Sequence, residues 1–526
     1  MKNIKIYTGL SISLILMAAC SKDFVDRPSL NNPTLDNYYT NAAEVNAATG
    51  YLYNSVWYDF MDKAFHAIGE VLGGNMVTSA GDVNYGSNSY VNFTVLSTDP
   101  LVQASWNSYY KVAGNATVLM NTFQEKKSKV AQSAYLDLGI AEARFIRGVA
   151  YFMIARTFGD VPIVEDPVAL ASSGNYNVPR YFQRDVLRFA LNDLREASKS
   201  LPADPYQPGR VTKYSAIGMM AKIYLYRGDY DSARAAAAEV IASRKYDLHP
   251  NYNEMFTTSK ANNNRESLFA LQWTGAGGYG FGNPVQQYAG PGPLLRPITN
   301  TGYSSVTPTI DFVRSIEPGD RRRSTLLMEH GWTRASWKNV NFPNGFTYDT
   351  SGTEGETATT LRTGSRTTAL KYIVGPGSDG ELINQYGQSS NSTYILRYAD
   401  ILLIHAEAIL GNSASTSNAD ALASFNKIHV DRGGLPAVTS LNKDIILKER
   451  RVEFAFEGDW WFDLQRLGFA KASAIINAQE RGSLNNDGSI NSIRANFTQE
   501  SQLFLPIPQA ETVQNKELLK PAVPYF

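Results

Sequence analysis

Residues 213–242, KYSAIGMMAKIYLYRGDYDSARAAAAEVIA, constrain the fold more than any other stretch of the chain. Two helical patterns flank Arg227-Gly228-Asp229-Tyr230-Asp231. Gly228 can end the first helix in the left-handed conformation, and Asp231 can cap the second. The aromatic residue before the turn and Ala233 after it match a tetratricopeptide-type helix–turn–helix. The small alanines let the two helices approach closely. Several such pairs are expected, with no strict period.

The segment 140–158 has the same helical period. Ala143, Ile146, Ala150, Met153 and Thr157 line one face, while Phe145, Val149 and Phe152 line another. A helix that is apolar on two faces is sandwiched between neighbours. Gly159-Asp160-Val161-Pro162 stops it. A second pair runs from 396 to 430. Leu396-Arg397-Tyr398-Ala399-Asp400 opens its first helix, the polar loop 411–417 follows, and Ala421, Leu422 and Phe425 mark the second helix. Segments 101–123 and 180–200 supply more helices. From about Phe269 to Thr393 the period fades into Gly, Pro, Ser, Thr and Asn with scattered aromatics, after a strand-like Ser267–Trp273. A compact protein does not keep about 120 irregular residues without a use for them. The expected fold is therefore mainly α: tetratricopeptide-like helix pairs as a scaffold over about 36–265 and 394–526, with a loop-rich, partly β excursion over about 266–393 carrying the ligand site.

The first residues read as an address. Lys2 and Lys5 precede an apolar run from Leu10 to Ala19, too short for the ~20 residues that span a bilayer. It fits the h-region of a signal peptide, residues 1–19. Leu16-Met17-Ala18-Ala19-Cys20 looks like a lipobox, with Cys20 as the lipidated residue and 20–35 as a polar tether. Cys20 is the only cysteine of the 526 residues, so no internal disulfide can use it. Ser21-Lys22-Asp23 is compatible with passage to an outer membrane and its outer surface. Cleavage before Cys20 removes Lys2 and Lys5 from 49 basic residues against 49 acidic ones, leaving a net charge near −2. Such a chain has no charge-based attraction for nucleic acid.

Five blocks now carry a resemblance: AEARFIRGVAYFMIARTFGDVPIV (141–164), RVTKYSAIGMMAKIYLYRGDYDSA (210–233), LRYADILLIHAEAIL (396–410), ILKERRVEFAFEGDWWFDLQRLG (446–468) and FLPIPQAETVQN (504–515). In this order after a lipobox, the chain resembles the SusD/RagB family of Bacteroidetes nutrient-binding outer-membrane lipoproteins. The resemblance implies a helical fold with tetratricopeptide-like pairs and a SusC-like TonB-dependent β-barrel partner. It also implies a ligand that is commonly an oligosaccharide and in some members a peptide, and no catalysis.

Most of the conspicuous side chains have structural readings. Trp460 and Trp461 fall with Val452, Phe456 and Leu464 in a scaffold block and read as core. Glu449, Glu453 and Glu457 share one helical face. A glycosidase needs two carboxylates opposed across a bond, so pairing with Arg450, Arg451 and Arg466 is the better reading. Arg397 and Asp400 have the spacing of an i, i+3 pair. The five histidines are dispersed, and no metal or cofactor motif appears. GAGGYGFG (275–282) is not followed by a helix as a phosphate loop would be. It does let Tyr279 and Phe281 project from a loop.

A neutral glycan offers CH faces and hydroxyls, and so calls for aromatic platforms with polar edges. Two regions have that mixture: 80–92, with Asp82, Asn84, Tyr85 and Tyr90, and the excursion, with Tyr279, Phe281, Tyr288, Tyr303, Trp332 and Trp337. The expected ligand-binding residues are Asp82, Tyr85, Tyr90, Tyr279, Phe281, Trp332 and Trp337. Glycan capture for delivery to a transporter is the leading reading. Peptide capture, a surface glycosidase and a pure assembly scaffold are the alternatives.

Overall fold

A proline is tolerated in the first turn of a helix, where its missing N–H has no partner to lose. Pro100 stands there in the longest of the described helices, and Asp99 caps it by accepting from the Leu101 and Val102 amides. The computed structural model describes residues 38–78, 88–291, 302–338, 342–350, 366–375, 383–485 and 487–526. The signal peptide, Cys20 and the tether lie outside the described residues.

Helix α1 (Ala42–Gly50) leans on the long antiparallel pair α2 (Pro100–Lys127) and α3 (Ala134–Phe158). α3 is buried along almost its whole length between α2 and α5 (Gln183–Ser200), as a helix with two apolar faces must be. Gly159 ends it at a φ of +75°. The short α4 (Pro167–Ser173), which follows α3 in the chain, packs on α2.

The pair read from 213–242 is α6 (Lys213–Tyr226) and α7 (Tyr230–Ala242). Thr212 and Ser215 close a capping box at the start of α6. Gly228 takes a φ of +75°, as the turn requires. The turn is tighter than the sequence suggests, however. Asp229 occupies the cap position of α7 and Asp231 falls in its first turn, where a negative charge still favours the helix N-terminus. α8 (Tyr398–Leu410) and α9 (Ala419–His429) form the second pair, and α7 packs on α8 so that the pairs stack.

Leu396 and Arg397 belong to a strand and not to α8. β2 (Ser267–Leu271) pairs antiparallel with β6 (Thr393–Arg397), so the chain leaves the helices on one strand and returns on its neighbour. Trp273, just past β2, is buried and donates its indole N–H to Thr393 Oγ1 at 2.9 Å. β1 (Met76–Thr78) pairs with β3 (Val306–Pro308), and β4 (Thr333–Arg334) with β5 (Phe346–Thr347). Helices and excursion share one hydrophobic core, in which Trp460 and Trp461 are buried.

α10 (Lys443–Glu453) and the turn after it carry the three glutamates of the shared face. Their partners are not those expected. Glu453 meets Arg397, Arg432 and Arg322. Glu449 meets Arg322 and His429, and Glu457 meets Arg397 and Lys371. Arg450 bonds instead to Asp400 and Asp463 at 2.8 Å each, Arg466 to Glu407 and Asp463, and Arg451 to Asp311. Nor does Arg397 pair with Asp400, which takes Lys222 and Arg450. The reason is geometric: neighbours one or two positions along a helix point to other faces, so the partner must come from another element.

The pairing has a pH signature. Burial alone would raise the Glu407 carboxyl, but Arg466 and Lys443 outweigh it and hold the pKa at about 2. An unfolded glutamate titrates near ~4.3. The stability this group contributes is therefore present above that pH and lost as pH falls toward 2. The thermal midpoint is expected to drop across this interval, and a midpoint unchanged down to pH 2 would contradict the assignment.

Candidate functional site

A tyrosine ring has two apolar faces and a hydroxyl, so tyrosines gathered at a surface leave platforms with polar edges. Four stretches of the chain meet in such a group: 58–63, 279–288, Tyr303 and 384–388. Tyr58 lies just ahead of a wide helical turn, Phe60–Ala64. Phe60 packs inward on Tyr109 of α2, with ring centroids 4.8 Å apart. Tyr58 donates its hydroxyl to Asp62 Oδ1 at 3.1 Å and accepts from Gln388 Nε2 at 2.8 Å. The same Gln388 amide donates to Gln287 Oε1 at 3.2 Å, while its carbonyl accepts from the Gly280 amide. This bonding pins the 275–282 loop to Tyr58.

Around this polar centre stand the rings. Tyr279 meets Tyr58 and Tyr386 edge-on, at 5.4 and 5.3 Å between centroids. Tyr288 lies 5.9 Å from Tyr303, and Lys63 Nζ sits 5.4 Å from the Tyr288 ring. The 303–305 strip is held against 287–290 by backbone bonds, Tyr303 N–H to Gln287 and Ser305 N–H to Tyr288. Tyr279, Phe281 and Tyr303 are 50%, 48% and 44% exposed, while Tyr58 and Tyr288 are buried beneath them. Burial pushes the Asp62 carboxyl up from its ordinary range, against the pull of Lys63 and of hydrogen bonds from Tyr288 and Tyr58. Burial likewise drives the Tyr58 and Tyr288 hydroxyls far up, so both stay protonated and can donate.

Of the residues expected from sequence, Tyr279 joins this group, and Phe281 stands exposed on the same loop. Asp82 and Tyr85 lie outside the described residues. Thr78, at the end of β1 just before them, faces Val306, three residues from Tyr303. Two expectations are corrected. Tyr90 is buried, with its hydroxyl donated to Asp99, the cap of α2. Trp337 is 1% exposed, inside the hairpin formed by β4 and β5. It packs against Trp332 at 5.3 Å and under the Arg334 guanidinium at 4.9 Å. Gly375 makes room for it: a Cβ there would fall 2.1 Å from the indole. The mixed aromatic and polar composition of 80–92 suggests an exposed Tyr90, and the lack of a periodic stripe an exposed Trp337, yet the contact with the α2 cap and the β4–β5 hairpin bury them. Trp332 is half-buried beside Trp337.

Sequence reasoning missed Tyr58, Asp62, Lys63, Gln287, Tyr386 and Gln388. Tyr58 and Asp62 stand four apart, a spacing that puts both on one helical face and could have flagged them. The glutamines carry no local signal. Among the described residues, no group of three His, Cys, Asp or Glu is placed to hold a metal ion.

Comparison with known proteins gives concordant results. Residues 238–525 match the family model described as the SusD family, and residues 25–225 match one described as starch-binding associating with outer membrane. A SusD-like protein of Bacteroides ovatus is 30% identical over 98% of this chain and 97% of its own length. SusD-like protein P2 of Formosa agariphila is 26% identical over 81% of each. A crystal structure with xylogluco-oligosaccharide superposes with a TM-score of 0.79 at 28% identity, covering 92% of this chain and 99% of that one. A laminarin-binding SusD-like protein shares the fold at a TM-score of 0.69 and 24% identity, covering 91% of this chain and 98% of its own.

Proposed function

Because the chain belongs to the SusD family, we propose that it is a cell-surface lipoprotein that captures oligosaccharide or polysaccharide and delivers it to a SusC-like TonB-dependent outer-membrane transporter. The observation that carries this reading is the exposed rings Tyr279 and Tyr303 beside the polar centre of Tyr58, Asp62, Gln287 and Gln388. Sugar CH faces stack on such rings, and sugar hydroxyls bond to carboxylate and amide edges. The relative bound to xylogluco-oligosaccharide supports a glycan as the ligand class. Asp82 and Tyr85 are proposed as further ligand contacts on the chemistry of their side chains alone.

The proposed mechanism is capture and release without covalent chemistry. A glycosidase needs two opposed carboxylates ~5–9 Å apart. Among the described residues, Asp62 is the one carboxylate bonded into the tyrosine group. Lipid on Cys20 would hold the protein at the membrane of its transporter and raise its effective concentration there. Palmitate labelling of the wild-type chain, absent in Cys20→Ala, tests that step.

Calorimetry against xylogluco-oligosaccharide, laminarin, starch and a mixed peptide pool tests the ligand class. Binding to at least one glycan is expected. Tight binding to peptides with none to any glycan would instead make this a peptide-capturing relative of RagB.

A further inference from the structure

We propose that the protein carries a second saccharide-binding site, in a cleft of about 450 Å³ between α2, the segment 162–178 and the C-terminal turns around α11 (Gln509–Gln514). The proposal rests on the reading of the protein as a glycan binder. Trp106 and Tyr110 stand four apart on α2 and so share a face, with ring centroids 4.7 Å apart. Trp106 is 5% exposed and lines the cleft, and its indole N–H has no hydrogen-bond partner among the described residues. Tyr176 reaches the same cleft from the loop after α4 and is 51% exposed.

Hydrogen bonds tie the three walls together. The Tyr110 hydroxyl donates to the Pro162 carbonyl at 2.8 Å, Gln103 Nε2 to Glu511 Oε1 at 3.1 Å, and Asn515 Nδ2 to the Val178 carbonyl at 2.8 Å. The cleft is thus preformed, and a ligand entering it loses little affinity to ordering the protein. Its volume lies within the ~300–1,000 Å³ of small-ligand sites. Aromatic rings line it, and Glu511 and Gln514 add a carboxylate and an amide. That combination suits the CH faces and hydroxyls of a short run of sugars.

The cleft is separate from the tyrosine group. Tyr109, the residue between them on α2, packs on Phe60 of the segment that carries Tyr58 and Asp62. The cleft and the tyrosine group have no residue in common. A polysaccharide long enough to reach both would gain affinity by linkage, whereas a short oligosaccharide would not.

The test compares Tyr176→Ala and Gln514→Ala, both at accessible side chains, with the double variant Tyr279→Ala/Tyr303→Ala. The probes are xyloglucan, laminarin and starch in affinity gels, with calorimetry on oligosaccharides of whichever polymer retains the wild type. Tyr176→Ala is expected to weaken retention at least threefold and to reduce the calorimetric stoichiometry from two sites to one. Unchanged retention and stoichiometry in Tyr176→Ala and Gln514→Ala, with loss in the double variant, would overturn the second site and leave the first standing. Unchanged retention with loss of a co-purifying β-barrel would assign the cleft to protein docking and likewise overturn the proposal. No retention of the wild type by any of the three polymers would overturn both readings.

Discussion

Replacing Arg397 with methionine is expected to destabilise the protein by about 3–5 kcal/mol, the cost of breaking a buried charge network by removing one partner. Arg397 is 1% exposed. Its guanidinium bonds to Glu266 at 2.8 Å, to Glu453 at 2.6 Å, and to Glu457 at 2.7 and 2.8 Å, and it also donates to the Glu453 backbone carbonyl at 2.7 Å. Methionine fills the volume but leaves three carboxylates to Arg432, Arg322 and Lys371 alone. Lysine keeps the charge but cannot fork to three acceptors, so Arg397→Lys should cost less than methionine and still be measurable. Exposed pairs such as Lys199 with Glu196 are worth only ~0–1 kcal/mol and make a suitable control. Urea unfolding reads the difference as a shift in midpoint at constant slope. A loss below about 1 kcal/mol for Arg397→Met would mean that water or a rearranged neighbour replaces the guanidinium. The position matters beyond stability. Arg397 ends β6, whose other end, Thr393, accepts from Trp273 and Asn283 at the root of the loop bearing Tyr279.

The helix pairs were legible because their determinants are local. Gly228 supplies a left-handed turn, Ala233 the small residue after it, and the two apolar faces of 140–158 announce a helix buried between others. The charge partners were not legible, because Glu449, Glu453 and Glu457 look along one helix while Arg322, Lys371, Arg397 and Arg432 arrive from elsewhere. The site divides in the same way. Tyr279 and Phe281 stand in a glycine-rich loop with too few neighbours to cover them, and both are half-exposed. Their support is 330 residues apart, Tyr58 bonded to Gln388, and no spacing rule reaches that far. Trp337 misleads for the opposite reason. What admits it to the interior is the space left by Gly375, and a missing side chain leaves no periodic mark in the sequence.

Removing both exposed rings, Tyr279→Ala with Tyr303→Ala, is expected to weaken glycan binding ~10–100-fold, since each stacked aromatic is worth ~0.5–1.5 kcal/mol beyond its buried area and 1.4 kcal/mol is tenfold. Each ring is about half-exposed, so the fold should lose little, and unfolding midpoints near the wild-type value would show that binding alone is affected. Tyr279 meets Tyr58 and Tyr386 at steep interplanar angles of 68° and 87°, so neither ring stacks flat on it. Phenylalanine at both positions separates stacking from hydrogen bonding: it keeps the platforms and removes the hydroxyls, so it should recover most of the affinity if stacking dominates. Trp332→Ala supplies the competing location. Trp332 is half-buried against Trp337, with Arg334 beside both rings, so its loss should disturb the hairpin before it disturbs the tyrosine group. A greater loss of glycan affinity from Trp332→Ala than from the tyrosine pair, at unchanged stability, would move the binding surface to that hairpin and leave the tyrosines as its support.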